Sequence, residues 1–156
     1  MFRGISAISL DNKGRLAMPA RYRADLQASC EGQLVITLAL DDKCLGEPGC
    51  LWLYPLPEWE AVEQKIKKLP TLNKMARNLQ RFLIGYATEC EMDAQGRFLV
   101  PEKLREFAGL EKQVILLGQL NKFEIWSDAV WSAKEAAWLH AEQDDEGLEE
   151  LKSLAF

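Results

Sequence analysis

The chain has 156 residues, of which 48% are apolar, and its formal net charge is −5. This size and composition suffice for one packed domain or two small fused ones, and they exclude extended disorder. No stretch approaches the roughly 20 apolar residues that a bilayer crossing needs, and the first residues lack the apolar segment of a secretory signal. We therefore expect a cytoplasmic protein that does not bind a membrane.

The cysteines and the single histidine argue against metal-dependent and histidine-dependent enzymes. The cysteines are Cys30, Cys44, Cys50 and Cys90, and the only histidine is His140. Zinc sites need closely paired ligands, and catalytic triads need a histidine beside a nucleophile and an acid. We predict no metal, cofactor, small-molecule substrate or catalytic residue, and we expect reduced thiols. An enzyme that uses a cysteine or a metal is the third-ranked alternative.

The negative charge is confined to the C-terminal end of the chain. Residues 141–156 contain six acids and one lysine, whereas residues 1–140 contain 18 bases and 18 acids. The bases of this neutral body form two clusters, with a charge of +4 over residues 1–23 and +6 over residues 64–88. Each cluster is either a solvated face or a surface for an anionic partner such as nucleic acid.

The chain contains an internal repeat with a displacement of 82 residues. Residues 10–23 read LDNKGRLAMPARYR and residues 92–105 read MDAQGRFLVPEKLR, with five identities in fourteen positions. The match continues downstream across loops of different length, of which residues 39–50 form the longest and read as an exposed turn. One unit of about 45 residues cannot bury a core alone, so we expect two units that share a core about a pseudo-twofold axis.

Each unit begins with a strand, a tight D-x-x-G-R turn and a second strand. Gly14 and Gly96 supply the positive φ that such a turn needs. Asp11 and Asp93 are expected to structure the turn by accepting hydrogen bonds from backbone N–H groups two residues further on.

Short helices follow the second strand of each unit. Pro19 and Pro101 are placed in the first turn of helices predicted over residues 20–26 and 102–107, and Gly109 ends the second of these. Two further strands complete each unit.

Helices are also predicted between the units and after the second one. Apolar residues recur at helical spacing on both sides of Pro70, which predicts two helices with one apolar side. This set comprises Trp59, Val62, Ile66, Leu69, Leu72, Met75, Leu79, Phe82 and Leu83. A last helix begins near Ser127 as its N-cap and carries Trp131, Trp138 and Leu139 on its apolar side.

The two turns also carry residue types that read DNA. Arg15 and Lys13 flank Gly14, and Arg97 and Gln95 occupy the equivalent positions of the second turn. An arginine fork matches guanine O6 and N7 or a phosphate group. The alternative is that each arginine pairs with the aspartate of its own turn, which locks the turn but also orders the fork before DNA arrives.

Further basic residues surround the turns. Arg3 and Arg21 complete the predicted DNA-binding set. Arg23, Lys103 and Arg105 on the short helices are additional candidates for phosphate contacts, with solvated surface or intersubunit pairing as alternatives.

These motifs together resemble the MraZ family of bacterial regulators, which are found with cell-division and cell-wall genes. The resemblance covers residues 1–131 and rests on the opening MFRG, the two segments LDNKGR and MDAQGR, and the segments LYPLPEWE and LNKFEIW. It implies an α+β fold with a duplicated AbrB/SpoVT-like swapped-hairpin β-barrel core, flanking helices and a pseudo-twofold axis within the chain.

The resemblance also implies a function. It predicts a ring of identical subunits that binds tandem repeats in promoter DNA, represses transcription and associates with the nucleoid, with Arg15 and Arg97 as DNA contacts. The alternative is a protein-interaction module, since AbrB-like folds also serve as antitoxins. We divide the chain into two DNA-binding halves at 5–57 and 84–127, a helical connector at 58–83, and a C-terminal helix with an acidic tail at 128–156.

Overall fold

A computed structural model describes residues 1–40, 49–141 and 153–154 of the chain. Most of the predicted exposed turn and all six acids of the predicted tail lie outside the described residues. The elements in chain order are β1 (Phe2–Ser9), β2 (Arg15–Ala17), α1 (Ala20–Cys30), β3 (Gln33–Leu38), β4 (Leu51–Pro55), α2 (Leu56–Lys67), α3 (Lys74–Leu79), a π-helical turn (Gln80–Ile84), β5 (Thr88–Glu91), β6 (Arg97–Leu99), α4 (Glu102–Phe107), β7 (Gln113–Leu120), β8 (Lys122–Ser127) and α5 (Asp128–His140).

The strands form a six-stranded antiparallel sheet and a separate two-stranded ribbon. The order in the large sheet is β1-β7-β8-β4-β3-β5, and the ribbon consists of β2 and β6. Each strand of the first repeat has its equivalent in the second, and the sheet order runs through equivalent strands from its two edges towards the centre. The mixed α+β class and the duplication predicted from the sequence are therefore confirmed.

The two halves exchange the strands that flank their turns, whereas β3 pairs with β4 and β7 pairs with β8 within a half. Strand β1 of the first half pairs with β7 of the second, and β5 of the second half pairs with β3 of the first. Strands β2 and β6, which follow the two turns, pair with each other. The predicted strand–turn–strand units exist, but the strands on either side of each turn find their partners in the other half.

The β2–β6 ribbon has one buried and one outward face. Leu16 lies opposite Phe98 in the register, and both side chains are almost fully buried, at 0% and 1% exposure. Because successive side chains of a strand point to opposite faces, the residues on either side of this pair point outward. The outward face consists of Arg15, Ala17, Arg97 and Leu99.

The main core lies between the ribbon and the inner face of the large sheet. Leu26 of α1 and Leu104 of α4 pack into it with the inward residues of the strands. On the outer face, Trp59 of α2 packs near Val35, and Trp131 of α5 packs near Ile115. Alternation along the strands thus separates an inner core from two outer clusters.

Several predicted boundaries were wrong. Helix α1 continues to Cys30 instead of residue 26, and it ends at Glu31, which adopts a φ of 54°. The predicted start of α1 at Ala20 and the predicted range of α4 are confirmed, with Pro19 and Pro101 as the N-caps just before the first turns in which they were placed. At the ends of the predicted exposed turn, Ala39 and Cys50 are buried, because the Ala39 N–H donates to the Cys50 carbonyl and extends the β3–β4 pairing.

The apolar sides of the outer helices were also only partly correct. Leu72 and Met75 are 91% and 81% exposed, since the Asn73 side chain caps α3 and leaves Leu72 before the helix. The predicted cap of α5 is confirmed, because the Ser127 hydroxyl accepts from the Val130 N–H. Trp138 reaches the rings of Trp126 and Trp131, whereas Leu139, a further 100° around the helix, is exposed. Within the described residues, no helix is long and apolar enough to cross a membrane.

Truncation of side chains on the two faces of the ribbon is expected to differ greatly in its effect on stability. Leu16→Ala removes a fully buried side chain from the core and should lower the free energy of unfolding by about 2–5 kcal/mol. Leu99→Ala, on the outward face, should change it by less than about 0.5 kcal/mol. Chemical denaturation of both variants tests this, and equal losses would contradict the assignment of the faces.

Candidate nucleic-acid interface

The Asp11 carboxylate holds the first turn together. Its Oδ1 accepts from the backbone N–H groups of Lys13 and Arg15, both at 2.9 Å, and its Oδ2 accepts from the Arg15 Nε–H at 2.8 Å. The main chain closes the same turn, because the Asp11 N–H donates to the Arg15 carbonyl and the Gly14 N–H to the Asp11 carbonyl.

The second turn repeats this geometry. The Asp93 carboxylate accepts from the N–H groups of Gln95 and Arg97 and from the Arg97 Nε–H, each at 2.9 Å. The side chains of Arg15 and Arg97 nevertheless remain 26% and 35% exposed. Within the described part of the chain, only Nε of each guanidinium is hydrogen-bonded, so the two terminal nitrogens of each fork face solvent. The predicted pairing with aspartate is therefore present and leaves the ends of the forks accessible.

The same hydrogen bonds shift the aspartate titrations. The pKa of Asp11 lies below its usual 3.8, chiefly because the carboxylate accepts a hydrogen bond from the backbone N–H of Arg15. The Arg15 side chain and the Lys13 N–H also lower this pKa, whereas desolvation raises it. The corresponding groups of Arg97 and Gln95 lower the pKa of Asp93 in the same way. Both carboxylates are consequently charged at neutral pH, as their pairing with arginine requires.

Each turn also bonds directly to the strand that follows the other turn. The Gly14 carbonyl accepts from the Val100 N–H at 2.9 Å, and the Gly96 carbonyl accepts from the Met18 N–H at 2.8 Å. Since these two bonds are reciprocal, neither turn can shift without disturbing the strand that carries the other arginine.

An arginine from the opposite half covers each turn glycine. A Cβ atom on Gly14, whose φ is +80°, would lie 2.7 Å from Cζ of Arg105. A Cβ atom on Gly96, whose φ is +76°, would lie 2.7 Å from Cδ of Arg23. Glycine suits both positions because the positive φ strains other residues and because a Cβ atom would have to displace the covering guanidinium.

The two covering arginines differ in their hydrogen bonds. The Nε–H of Arg23 donates to the Met18 carbonyl at 2.7 Å. The Nε of Arg105 is buried and has no hydrogen-bond partner among the described residues. Both side chains are partly buried, so the structure places Arg23 and Arg105 against the turns, while their predicted role as phosphate contacts remains a prediction.

The ribbon brings Arg15 and Arg97 to one surface. Arg15 lies opposite Leu99, and Arg97 lies opposite Ala17, so the two arginines occupy diagonal positions of the outward face. Diagonal Cα atoms across an antiparallel pair are about 7–8 Å apart. A two-stranded ribbon of this kind fits into a DNA major groove, which is about 12 Å wide.

The remaining predicted site residues lie on the two turns, on β1 and on α1. Lys13 and Gln95 are exposed at the tips of their turns, and Arg3 is exposed on β1. Arg21 is exposed at the start of α1, where its guanidinium donates to the Ser6 hydroxyl at 2.7 Å and lies 4.7 Å from the centre of the Tyr22 ring. These contacts order the side chain of Arg21 and limit its reach towards a partner.

Sequence reasoning missed two features of the site. It did not foresee that the second strands of the two halves pair, which unites the two arginines, and it did not single out Leu99. The identity of Arg23 with Arg105 in the repeat was a usable signal for their common position. No signal in the sequence identified the glycine that each of them covers.

The alternative chemistry based on thiols or metals gains no support from the structure. Burial raises the pKa of the Cys90 thiol to about 12, and a thiol with such a pKa is not a nucleophile at neutral pH. Among the residues that the structure describes, no group of three or more His, Cys, Asp or Glu side chains is arranged to hold a metal ion. Cys44 lies outside the described residues.

The fold and the site define a class: α+β proteins in which two equivalent halves exchange strands and present a pair of aspartate-ordered arginines on one ribbon. The family model described as "MraZ protein, putative antitoxin-like" matches this chain twice, over residues 1–82 and 83–151. The chain belongs to the MraZ family, as its motifs indicated.

Relatives with this family name cover almost the whole chain. A "Transcriptional regulator MraZ" from Methylococcus capsulatus is 56% identical over 160 aligned positions and covers 100% of both chains. The protein of the same name from Pseudomonas aeruginosa is 51% identical over 155 positions and covers 99% of both chains. The one from Thioalkalivibrio sulfidiphilus is 49% identical and covers 92% of this chain and 91% of its own.

The lowered pKa values predict a loss of stability in acid. Because the native pKa values of Asp11 and Asp93 lie below 3.8, their contribution is complete at neutral pH and disappears as the pH falls through the native values. Replacing both residues by Asn should lower the melting temperature at pH 7, and the difference from the wild type should shrink towards pH 2. Asp25→Asn combined with Glu63→Gln, at exposed acids of α1 and α2 outside both turns, is the charge-matched control. A constant difference across this pH range would contradict the assignment.

A side chain at Gly14 is expected to act through Arg105. Gly14→Asn should lower the free energy of unfolding by about 1–3 kcal/mol, although asparagine tolerates positive φ, because its Cβ displaces the guanidinium. The loss should be smaller when Arg105 is already alanine and unchanged when Arg23 is alanine. Chemical denaturation of the single and double variants measures this coupling. A smaller loss of stability in the Arg23→Ala background would contradict the assignment of Arg105, from the opposite half, to Gly14.

Proposed function

We propose that the protein is a sequence-specific DNA-binding regulator of transcription, which acts as an oligomer on tandem promoter repeats. The observation that carries the proposal is the outward face of the β2–β6 ribbon, where Arg15 and Arg97 project together and keep their fork ends free. The printed name of the relatives, transcriptional regulator, supports the same function.

The proposed mechanism places the ribbon in the major groove. Arg15 and Arg97 donate to O6 and N7 of guanine, while Lys13 and Gln95 at the turn tips donate to neighbouring bases or phosphates. The aspartates hold the Nε side of each fork, so part of the ordering of the arginines is completed before binding. Arg3, Arg21 and the partly buried Arg23 and Arg105 are the candidates for phosphate contacts.

Affinity on this proposal requires several subunits. A single subunit, whose residues 1–140 carry no net charge and which offers two arginines, should bind DNA weakly. Non-specific dissociation constants for DNA at physiological salt are about 10⁻⁴–10⁻⁶ M. A ring of subunits on tandem repeats makes the later contacts intramolecular and raises the affinity by roughly 10²–10⁴-fold. We propose such a ring, a repressor role on a cell-division and cell-wall gene cluster, and association with the nucleoid.

We further propose an AbrB/SpoVT-like swapped-hairpin barrel as the common core of the two halves. The exchange of β1 and β5 between the halves supports it. In this division, residues 5–57 and 84–127 form the two DNA-binding halves, residues 58–83 form the connector, and residues 128–156 form the C-terminal helix and tail.

The second candidate function is a protein-interaction module, in which Arg15 and Arg97 pair with acids of a partner protein. The description of the family model as antitoxin-like supports this second candidate, because antitoxins bind a partner protein. The dependence of binding on salt separates the two candidates. A DNA-binding regulator loses duplex affinity steeply as salt rises, whereas a module that binds only protein has little duplex affinity at any salt.

Arg15→Ala is expected to weaken binding to promoter DNA without unfolding the protein. The loss of one bidentate base contact should cost about 1–3 kcal/mol, or roughly 5- to 150-fold in the dissociation constant. Gel-shift titration measures it on duplexes chosen by selection from a random pool, which also shows whether the bound sites are tandem.

Arg81→Ala is the matched control for this experiment. It removes the same charge from an exposed arginine of the second basic cluster, on the π-helical turn. This turn packs through Leu83 on the outer face of the large sheet, which is the face away from the ribbon. We expect its affinity to stay within about twofold of the wild type. An unchanged affinity of Arg15→Ala for the selected duplex would refute the proposed function.

A further inference from the structure

We propose that Leu99 determines part of the sequence specificity by contacting the 5-methyl group of a thymine beside the base that Arg15 reads. The inference rests on the proposed function, because it assigns a further base contact to the same ribbon face.

The register of the ribbon places Leu99 next to Arg15. The two residues are directly opposite each other in the β2–β6 pairing. Directly opposite residues of an antiparallel pair project from the same face, with Cβ atoms about 4.5–5.5 Å apart. The burial of Phe98 at 1% and the 52% exposure of Leu99 confirm that Leu99 points outward. A partner that Arg15 touches therefore also meets Leu99.

The chemistry of the major groove identifies what an apolar side chain contacts there. Base edges in this groove present hydrogen-bond donors and acceptors, and the thymine methyl is their one apolar group. Successive bases are about 3.4 Å apart along a strand, so a neighbour about 5 Å from Arg15 lies within one or two base pairs of its guanine. The matching group on the DNA is thus a thymine methyl close to that guanine.

The equivalent position in the other half lacks this reach. Ala17 lies opposite Arg97 and is also exposed, but its side chain ends at Cβ. Leucine extends by three further carbon atoms towards the groove. The two arginines of the ribbon consequently have different apolar neighbours, and we assign the methyl contact to Leu99 because its side chain reaches further.

Replacement of thymine by deoxyuridine tests the contact, because it removes only the 5-methyl group. Guanines contacted by arginine are first located in the selected duplex by 7-deazaguanine substitution, and each thymine within two base pairs is then replaced in turn. At one such thymine, we expect the wild-type affinity to fall about fourfold, the value that burial of one methyl-sized group implies. For Leu99→Ala, the thymine and deoxyuridine duplexes should bind equally.

Leu72→Ala is the matched control, since it truncates a leucine that is 91% exposed in the connector and should keep the fourfold ratio. Equal binding of thymine and deoxyuridine by the wild type, a ratio that persists in Leu99→Ala, or a selected site without thymine at these positions would each overturn the inference. If Arg15→Ala also binds as the wild type does, the proposed function fails. If Arg15→Ala weakens binding, only the role of Leu99 fails.

Discussion

The site depends on two reciprocal hydrogen bonds between the halves, from Val100 N–H to the Gly14 carbonyl and from Met18 N–H to the Gly96 carbonyl. These bonds join the first turn to the end of β6 and the second turn to the end of β2, and so fix the separation of Arg15 and Arg97. Three-residue strands would not hold such a ribbon in water alone. The burial of Leu16 and Phe98 beneath it, on the core of the large sheet, supplies the missing stability.

The sequence was sufficient for the local structure of the site and insufficient for its assembly. The D-x-x-G-R repeat predicted both turns because aspartate acceptors and a positive-φ glycine act within five residues. The pairing of β2 with β6 joins residues about 80 positions apart, and a short strand accepts either a local or a distant partner. For this reason the repeat predicted a shared core but not the common ribbon face or the exposure of Leu99.

The errors in the helices have a similar origin. Periodicity placed Leu72 and Met75 on a buried side, yet the Asn73 cap leaves Leu72 before α3, and Met75 is exposed in the first turn of this helix. Helix α1 ends after Cys30 because Glu31 adopts the left-handed conformation. Glutamate rarely adopts this conformation, so the sequence did not predict the end of the helix there. A single cap residue determines each of these helix boundaries. The spacing of apolar residues, which is averaged over a helical turn, contains no information about that residue.

The differences between the halves give the reading face a direction. Exact twofold symmetry favours palindromic sites, because each half then meets the same bases. On this ribbon the scaffold is nearly symmetric, but Lys13 has Gln95 as its equivalent in the second half, and Ala17 has Leu99. The outward face therefore presents unlike groups at its two ends. If the ribbon binds DNA as proposed, a face with unlike ends distinguishes the two orientations of a DNA site. The proposed ring, whose subunits would be related head to tail, requires sites with such a fixed orientation.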